Sequence, residues 1–304
     1  MPHATITSEV PGQLEKSAPV PSSTEPIPNT ASAPTYSSRG RANGFEYQDT
    51  FSGTCKIIGY TGEEAEDLSI PEKLNGFTVT AIGDSAFDEC YSLSGNLTIP
   101  DGVIEIGRYG FYSCQNLTNI TIPSSVAKIG KDAFHWCTGL TSIEVSEQNA
   151  SYSSLDGVLF DKAKSKIIAF PEGSIQENYS IPDSVTTIED NAFYWCHGLT
   201  SVTMPNSITA IGDSAFAYCI SLTGSLIIPE SVTTIGNEAF SFCSDIDEAA
   251  FLGNAPVTFG KLVFASCKFS FKITFDPSKS GWSVPTWNGY TVFPRESCPQ
   301  GSHI

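Results

Sequence analysis

Between residues 97 and 137, apolar and polar positions recur in a fixed order. The stretch reads LTIPDGVIEIGRYGFYSC and then, after QNLTN, ITIPSSVAKIGKDAFHWC. Ile-Pro opens each copy (Ile99-Pro100, Ile122-Pro123), and a Val follows three residues past the Pro (Val103, Val126). Ile-Gly comes next (Ile106-Gly107, Ile129-Gly130), then Phe and Cys three apart (Phe111 and Cys114, Phe134 and Cys137). The Pro-to-Pro step, 123 − 100, is 23 residues. A fixed period of this size marks a solenoid, whose coils cannot bury their apolar side alone and must stack. Cys90, Cys114, Cys137, Cys196, Cys219, Cys243 and Cys267 carry the count along the chain in steps of 24, 23, 59, 23, 24 and 24. The step of 59 holds one regular coil and one longer coil of 36 residues.

Within a coil, Leu117, Ile120 and Ile122 are apolar while Asn119 and Thr121 are polar, the period-2 alternation of a short strand with one buried face. Pro123 ends that strand because it has no N–H for a ladder. Gly130 is expected to supply a backbone conformation that other residues avoid. Residues 131–137 are expected to form about two helical turns with Ala133, Phe134 and Cys137 facing inward, the Cys serving as a small buried filler.

The pattern L-x-x-I-x-I-P-x-S-V-x-x-I-G-x-x-A-F-x-x-C resembles the 23-residue leucine-rich repeat of the BspA-like proteins, over about residues 45–293. The long coil, NASYSSLDGVLFDKAKSKIIAFPEGSIQENYSIP, resembles the hairpin-bearing variant repeat of that family. The resemblance implies an α/β leucine-rich-repeat solenoid, a right-handed curved stack of strand, turn and short-helix coils with caps at both ends. It also implies adhesion to extracellular matrix, host cells or other microbes, and hence a cell-surface or secreted protein.

The ends differ from the repeats. Residues 1–44 are rich in Pro, Ser, Thr and Ala and read as an extended tail or linker; they lack the basic start and apolar core of a signal peptide. Residues 45–67 read as the N-terminal cap, 68–267 as repeats and 268–293 as a C-terminal cap that lays Trp282, Trp287 and Tyr290 over the last coil. Residues 294–304 read as a flexible tail. Asn75-Gly76 predicts a hairpin in the first repeat. In the long coil, residues 157–160 and 167–170 flank a polar DKAKSK and predict strand, turn, strand.

Charge and chemistry then narrow the function classes. A net charge of −17 disfavours nucleic acid and anionic membrane as partners, and no apolar run reaches the roughly 18 residues of a membrane-spanning helix. Neither a nucleophile motif, nor a phosphate-binding loop, nor Cys and His at zinc-ligand spacing is present, so no catalytic residue, cofactor or metal is assigned. The seven repeat cysteines read as buried free thiols, with Cys55 and Cys298 off that ladder and exposed. His135 and His197 occupy repeat slots at the surface or core flank. Asn96, Asn116, Asn119, Asn149 and Asn178 stand in N-x-S/T sequences, acceptors for glycans in a secreted eukaryotic protein.

What remains is surface. The outward strand positions, expected to be concave, run Asn96/Thr98, Asn119/Thr121, Ser142/Glu144, Asn178/Ser180, Ser201/Thr203, Ser225/Ile227 and Ala249/Phe251. The face turns apolar toward its C-terminal half, which places the expected ligand site at Ser201, Thr203, Ser225, Ile227, Phe251 and Thr274. The residue before each Cys forms a second stripe, in which Trp136, Trp195, Tyr218 and Phe242 either pack on one another or bind a ligand. The expected function is a monomeric, non-enzymatic module recognising protein or carbohydrate. The alternative is an intracellular scaffold for protein partners.

Overall fold

Period-2 alternation and the Pro that follows it give each regular coil one longer strand, and these strands pair in parallel. Leu93–Thr98, Leu117–Ile122 and Ser142–Val145 align with Asn96, Asn119 and Ser142 in one row and Leu97, Ile120 and Ile143 in the next. The second row is buried and the first faces out. The computed structural model describes residues 37–62, 65–66 and 68–295. They all belong to one unit that starts at Ser37. A second parallel ladder is made of two-residue strands at the Val-x-x-Ile motif, such as Glu105–Ile106 and Lys128–Ile129. Two residues are too few to carry a sequence period, so this ladder is invisible in the pattern.

The expected short helices are absent: among the described residues there is no helix. Residues 107–114 show why. Gly110, Tyr112 and Cys114 donate their N–H three residues back, to the carbonyls of Gly107, Tyr109 and Phe111. The amides between them, of Tyr109, Phe111 and Ser113, donate instead to Lys131, Ala133 and His135 of the next coil. Stacking offers acceptors that an isolated helix would have to find four residues back along its own chain. The alternation places two residues per coil in the left-handed region, for example Tyr109 at φ 55° and Ser113 at φ 56°.

Gly130 is not needed for its φ, which is not positive. A Cβ there would stand 2.4 Å from the Arg108 amide nitrogen, so it is close approach of the preceding coil that demands glycine.

Both ends are capped. Arg39–Ala42 pairs antiparallel with Phe45–Asp49 through an Asn43-Gly44 turn, both residues at positive φ. A strand therefore lies within the segment that composition assigns to a tail; residues 1–36 and 296–304 lie outside the described residues. The Asn75-Gly76 hairpin forms as expected. At the other end Trp287 packs on Phe259 at 4.5 Å and Tyr290 on Phe264 at 5.8 Å.

The long coil carries the expected hairpin, Val158–Asp161 with Lys166–Ala169, and an additional strand, Tyr152–Leu155, ahead of it. The coil is contracted at one point. Ile167 pairs with Ile188, and Phe170 stacks on Phe193 at 4.9 Å. Ile to Phe is thus 170 − 167 = 3 residues here against 193 − 188 = 5 in the following coil. Both ladders break at this coil. The buried side chains likewise divide into two clusters, one ending at Ile143 and Leu159, the other beginning with Val158 and Phe160.

Candidate binding surfaces

The long-strand face is largely as the alternation predicts: Ser201, Thr203, Ser225 and Ile227 are exposed. Its C-terminal end is not. Phe251 pairs with Ile228, an inward position, and is 2% exposed beneath Trp282, whose ring lies at 5.1 Å. The step from Ile227 to its row partner, Ala250, is 23 residues rather than 24. A slip of one residue turns every side chain to the other face, which removes Phe251 from the site. Thr274 does lie in the outward row, beside Ala250, but it is buried and its hydroxyl donates to Glu248. The row reads Ile227, Ala250, Thr274, Phe293. Ile227 and Phe293 are 40% and 47% exposed at its two ends, with the two smaller residues buried between them. Phe293 was beyond sequence reasoning because the C-terminal cap strand, Tyr290–Pro294, joins the sheet without any repeat motif.

The second stripe is a continuous ladder. Trp136 and Trp195 stack at 5.2 Å, Trp195 and Tyr218 lie at 5.0 Å, and Tyr218 and Phe242 stack at 4.4 Å. Trp136, Trp195 and Tyr218 are half-buried and Phe242 is exposed. All four have φ between 56° and 62°, a conformation uncommon for bulky residues that the coil's alternating hydrogen bonds impose. Beside it runs a row the sequence reading missed: Tyr112, His135, Tyr194 and Tyr218 with centroids 5.9, 4.4 and 5.4 Å apart. The first three sit two residues before a repeat Cys, which was the available signal.

The cysteines do more than fill space. Cys114, Cys137, Cys219, Cys243 and Cys267 each place Sγ 2.9–3.3 Å from the carbonyl oxygen of the Phe in the preceding coil. Burial pushes the Cys219 and Cys243 thiols well up, and Cys267 up to about 12. Cys55, expected to be exposed, is fully buried, and burial raises its thiol as well. Cys298 lies outside the described residues.

Asn149 is no glycan acceptor. It is fully buried, its Nδ2 donating to Pro123 and Val126 carbonyls at 2.7 and 2.9 Å and its Oδ1 accepting from the amides of Ser151 and Tyr152. Every hydrogen-bonding capacity of that amide is used to pin the start of the long coil to the coil before it. Among the described residues, no group of three or more His, Cys, Asp or Glu side chains is placed to hold a metal ion.

Comparison with known proteins gives the family and the fold. The family description "BspA type Leucine rich repeat region" matches residues 60–178 and 168–281, in 6 copies. A leucine-rich repeat protein from Eubacterium ventriosum superposes with a TM-score of 0.56 at 21% identity over 77% of each chain. One from Bacteroides ovatus gives 0.49 at 23% identity, over 78% of this chain and 70% of that one. A leucine-rich cell surface protein from Faecalibacterium prausnitzii gives 0.47 at 20%, over 85% of this chain and 99% of that one. A search of curated protein sequences found no match.

Proposed function

This chain belongs to the BspA-type leucine-rich repeat family, and we propose that it is a non-enzymatic binding module of the adhesion class that engages a protein segment along the C-terminal half of its strand face. The observation that carries this reading is the row from Ile227 to Phe293. Two large apolar side chains, 40% and 47% exposed, bracket a floor of Ala250 and Thr274 on a face whose earlier coils present mainly Asn, Ser and Thr. Exposed apolar groups grouped in this way mark contact sites, and side chains that become fully desolvated carry most of an interface's energy. Glu248 and Lys272 are strand register partners two residues before Ala250 and Thr274 and offer the polar rim. Ser201, Thr203 and Ser225 form the polar approach.

A second reading, a glycan held on the aromatic ladder, is favoured by the unbroken stacking from Trp136 to Phe242. A panel of extracellular-matrix proteins and a glycan array, each probed with the full chain, separates the two. The double change Ile227→Ser and Phe293→Ser should weaken binding to a matrix protein at least about tenfold with Tm almost unchanged. If the variant melts several degrees lower and still binds, the row is structural and the strand-face reading fails. Glycan binding that is lost on Trp195→Ala alone moves the site to the ladder.

A further inference from the structure

We propose that the contraction of the long coil forms a binding cleft for a small neutral amide, whose carbonyl oxygens stand in for the peptide carbonyls that regular coils offer to the amides facing them. The cleft encloses about 410 Å³ between residues 129–135, 166–172 and 189–192, within the size of small-molecule sites. Its walls are apolar where Phe134, Ile143, Ile168 and Phe170 line it. The following coil has Glu189 where other coils have Gly, consistent with the absence of the close neighbour that demands glycine elsewhere.

The donors left over at the contraction define the ligand. In the preceding coil the amides of Tyr109, Phe111 and Ser113 donate to the next coil's carbonyls. The equivalent amides here are those of Asp132, Phe134 and Trp136. Trp136 finds the Glu172 side chain, N–H to Oε1 at 2.8 Å, in place of a backbone carbonyl. Among the described residues the amides of Asp132 and Phe134 have no acceptor. Glu172 Oε2 is buried without a partner, on a side chain only 6% exposed. Burial pushes the Glu172 carboxyl up to about 8 against the Trp136 hydrogen bond, and burial also holds His135 below its ordinary value. Both shifts favour the neutral forms of His135 and Glu172, whose side chains lie 3.7 Å apart. Oε1 accepts from Trp136, and Oε2 is the carboxyl oxygen left without a partner.

The charged residues at the mouth do not compete for a ligand. Lys131 pairs with Asp190 at 2.9 Å, Lys166 with Glu189 at 2.8 Å, and Asn191 donates to Asp132 at 2.8 Å. A cleft with unmet donors, apolar walls and paired charges suits a neutral acceptor, and peptide carbonyls are what the regular coils supply at this position.

The probe is N-acetyl-alanine N-methylamide, which carries two peptide groups, titrated into ¹⁵N-labelled full chain, with phenethylamine as a cationic comparison. The amide should shift the Asp132, Phe134 and Trp136 resonances saturably, with Kd on the order of 1 mM, and bind more tightly than the amine. Restoring the missing length by inserting Lys-Asn between Ile168 and Ala169 should abolish these shifts and raise Tm. No saturable shift with the wild-type chain, shifts elsewhere, or tighter binding of the amine would overturn the proposal. So would unchanged binding by the insertion variant. Should that variant fail to fold, the wild-type titration decides alone.

Discussion

Removing Phe216 should cost more than removing Phe134, although the two occupy the same repeat position. Phe216 is fully buried and lies between Phe193 at 4.6 Å and Phe240 at 5.1 Å, nearly parallel to both. Phe134 is 7% exposed, stacks on Phe111 at 5.9 Å and borders the cleft on its other side. Phe→Ala in a core costs about 3 to 5 kcal/mol, and each aromatic pair adds roughly 0.5 to 1.5 kcal/mol beyond area burial. With two pairs lost and a closed cavity left, Phe216→Ala belongs at about 5 kcal/mol. Phe134→Ala loses one long pair and opens into space that already exists, which puts it near about 3 kcal/mol. Native-state hydrogen exchange is the suitable assay, because coils in a solenoid open locally and a single unfolding midpoint would average over them. Protection should fall first in the coils of Phe193, Phe216 and Phe240 for one variant and around Phe111 for the other. A difference under about 0.5 kcal/mol, or the reverse order, would refute the reasoning that stacking on both sides sets the cost.

Two further outcomes follow from buried titratable groups. The eight described thiols, Cys55 among them, should resist a thiol reagent in the native protein and react after denaturation; rapid native labelling of any fully buried one would count against the ladder of S–H to carbonyl bonds. Glu172 is raised from 4.5 to about 8, so the folded state holds a proton that the unfolded state releases, and stability should fall as pH rises through that window and level off above it. At about 1.36 kcal/mol per pH unit this amounts to at most on the order of 4 to 5 kcal/mol. Denaturant melts from pH 5 to 9 should show Glu172→Gln gaining on the wild type as pH rises, and parallel curves would show the carboxyl to be ionised throughout.

The repeat, its inward Phe and Cys, the Asn75-Gly76 hairpin, the hairpin of the long coil and the aromatic stripe were legible, because each rests on apolar runs or periods or on Asn-Gly. Among the features that were not, three show why. The turn segment reads as helix in isolation because Ala, Phe and Cys fall on one helical face; the carbonyls that draw alternate amides outward belong to another coil. Phe251 reads as outward if each coil advances by the same 24 residues, and a one-residue difference in register reverses it. The cleft has a sequence trace, Ile-Ile-Ala-Phe where other coils have Ile-Gly-x-x-Ala-Phe, yet its meaning depends on knowing that Ile167 and Phe170 both keep their repeat positions.

The turn edge of the stack also has an electrical direction. From Ser85 to Ser113, and again from Phe170 to Phe242, the alternate amides along this edge point the same way, each N–H directed at a carbonyl in the coil that follows. Peptide dipoles aligned in this manner add as they do along a helix, here perpendicular to the chain's local path and with the partial positive end toward the C-terminus. The edge is in effect two short dipoles in series. The first ends at the amides of Asp132, Phe134 and Trp136, where the Glu172 carboxyl meets it; the second ends at Phe264, whose N–H is taken up by the Tyr290 hydroxyl at 3.0 Å.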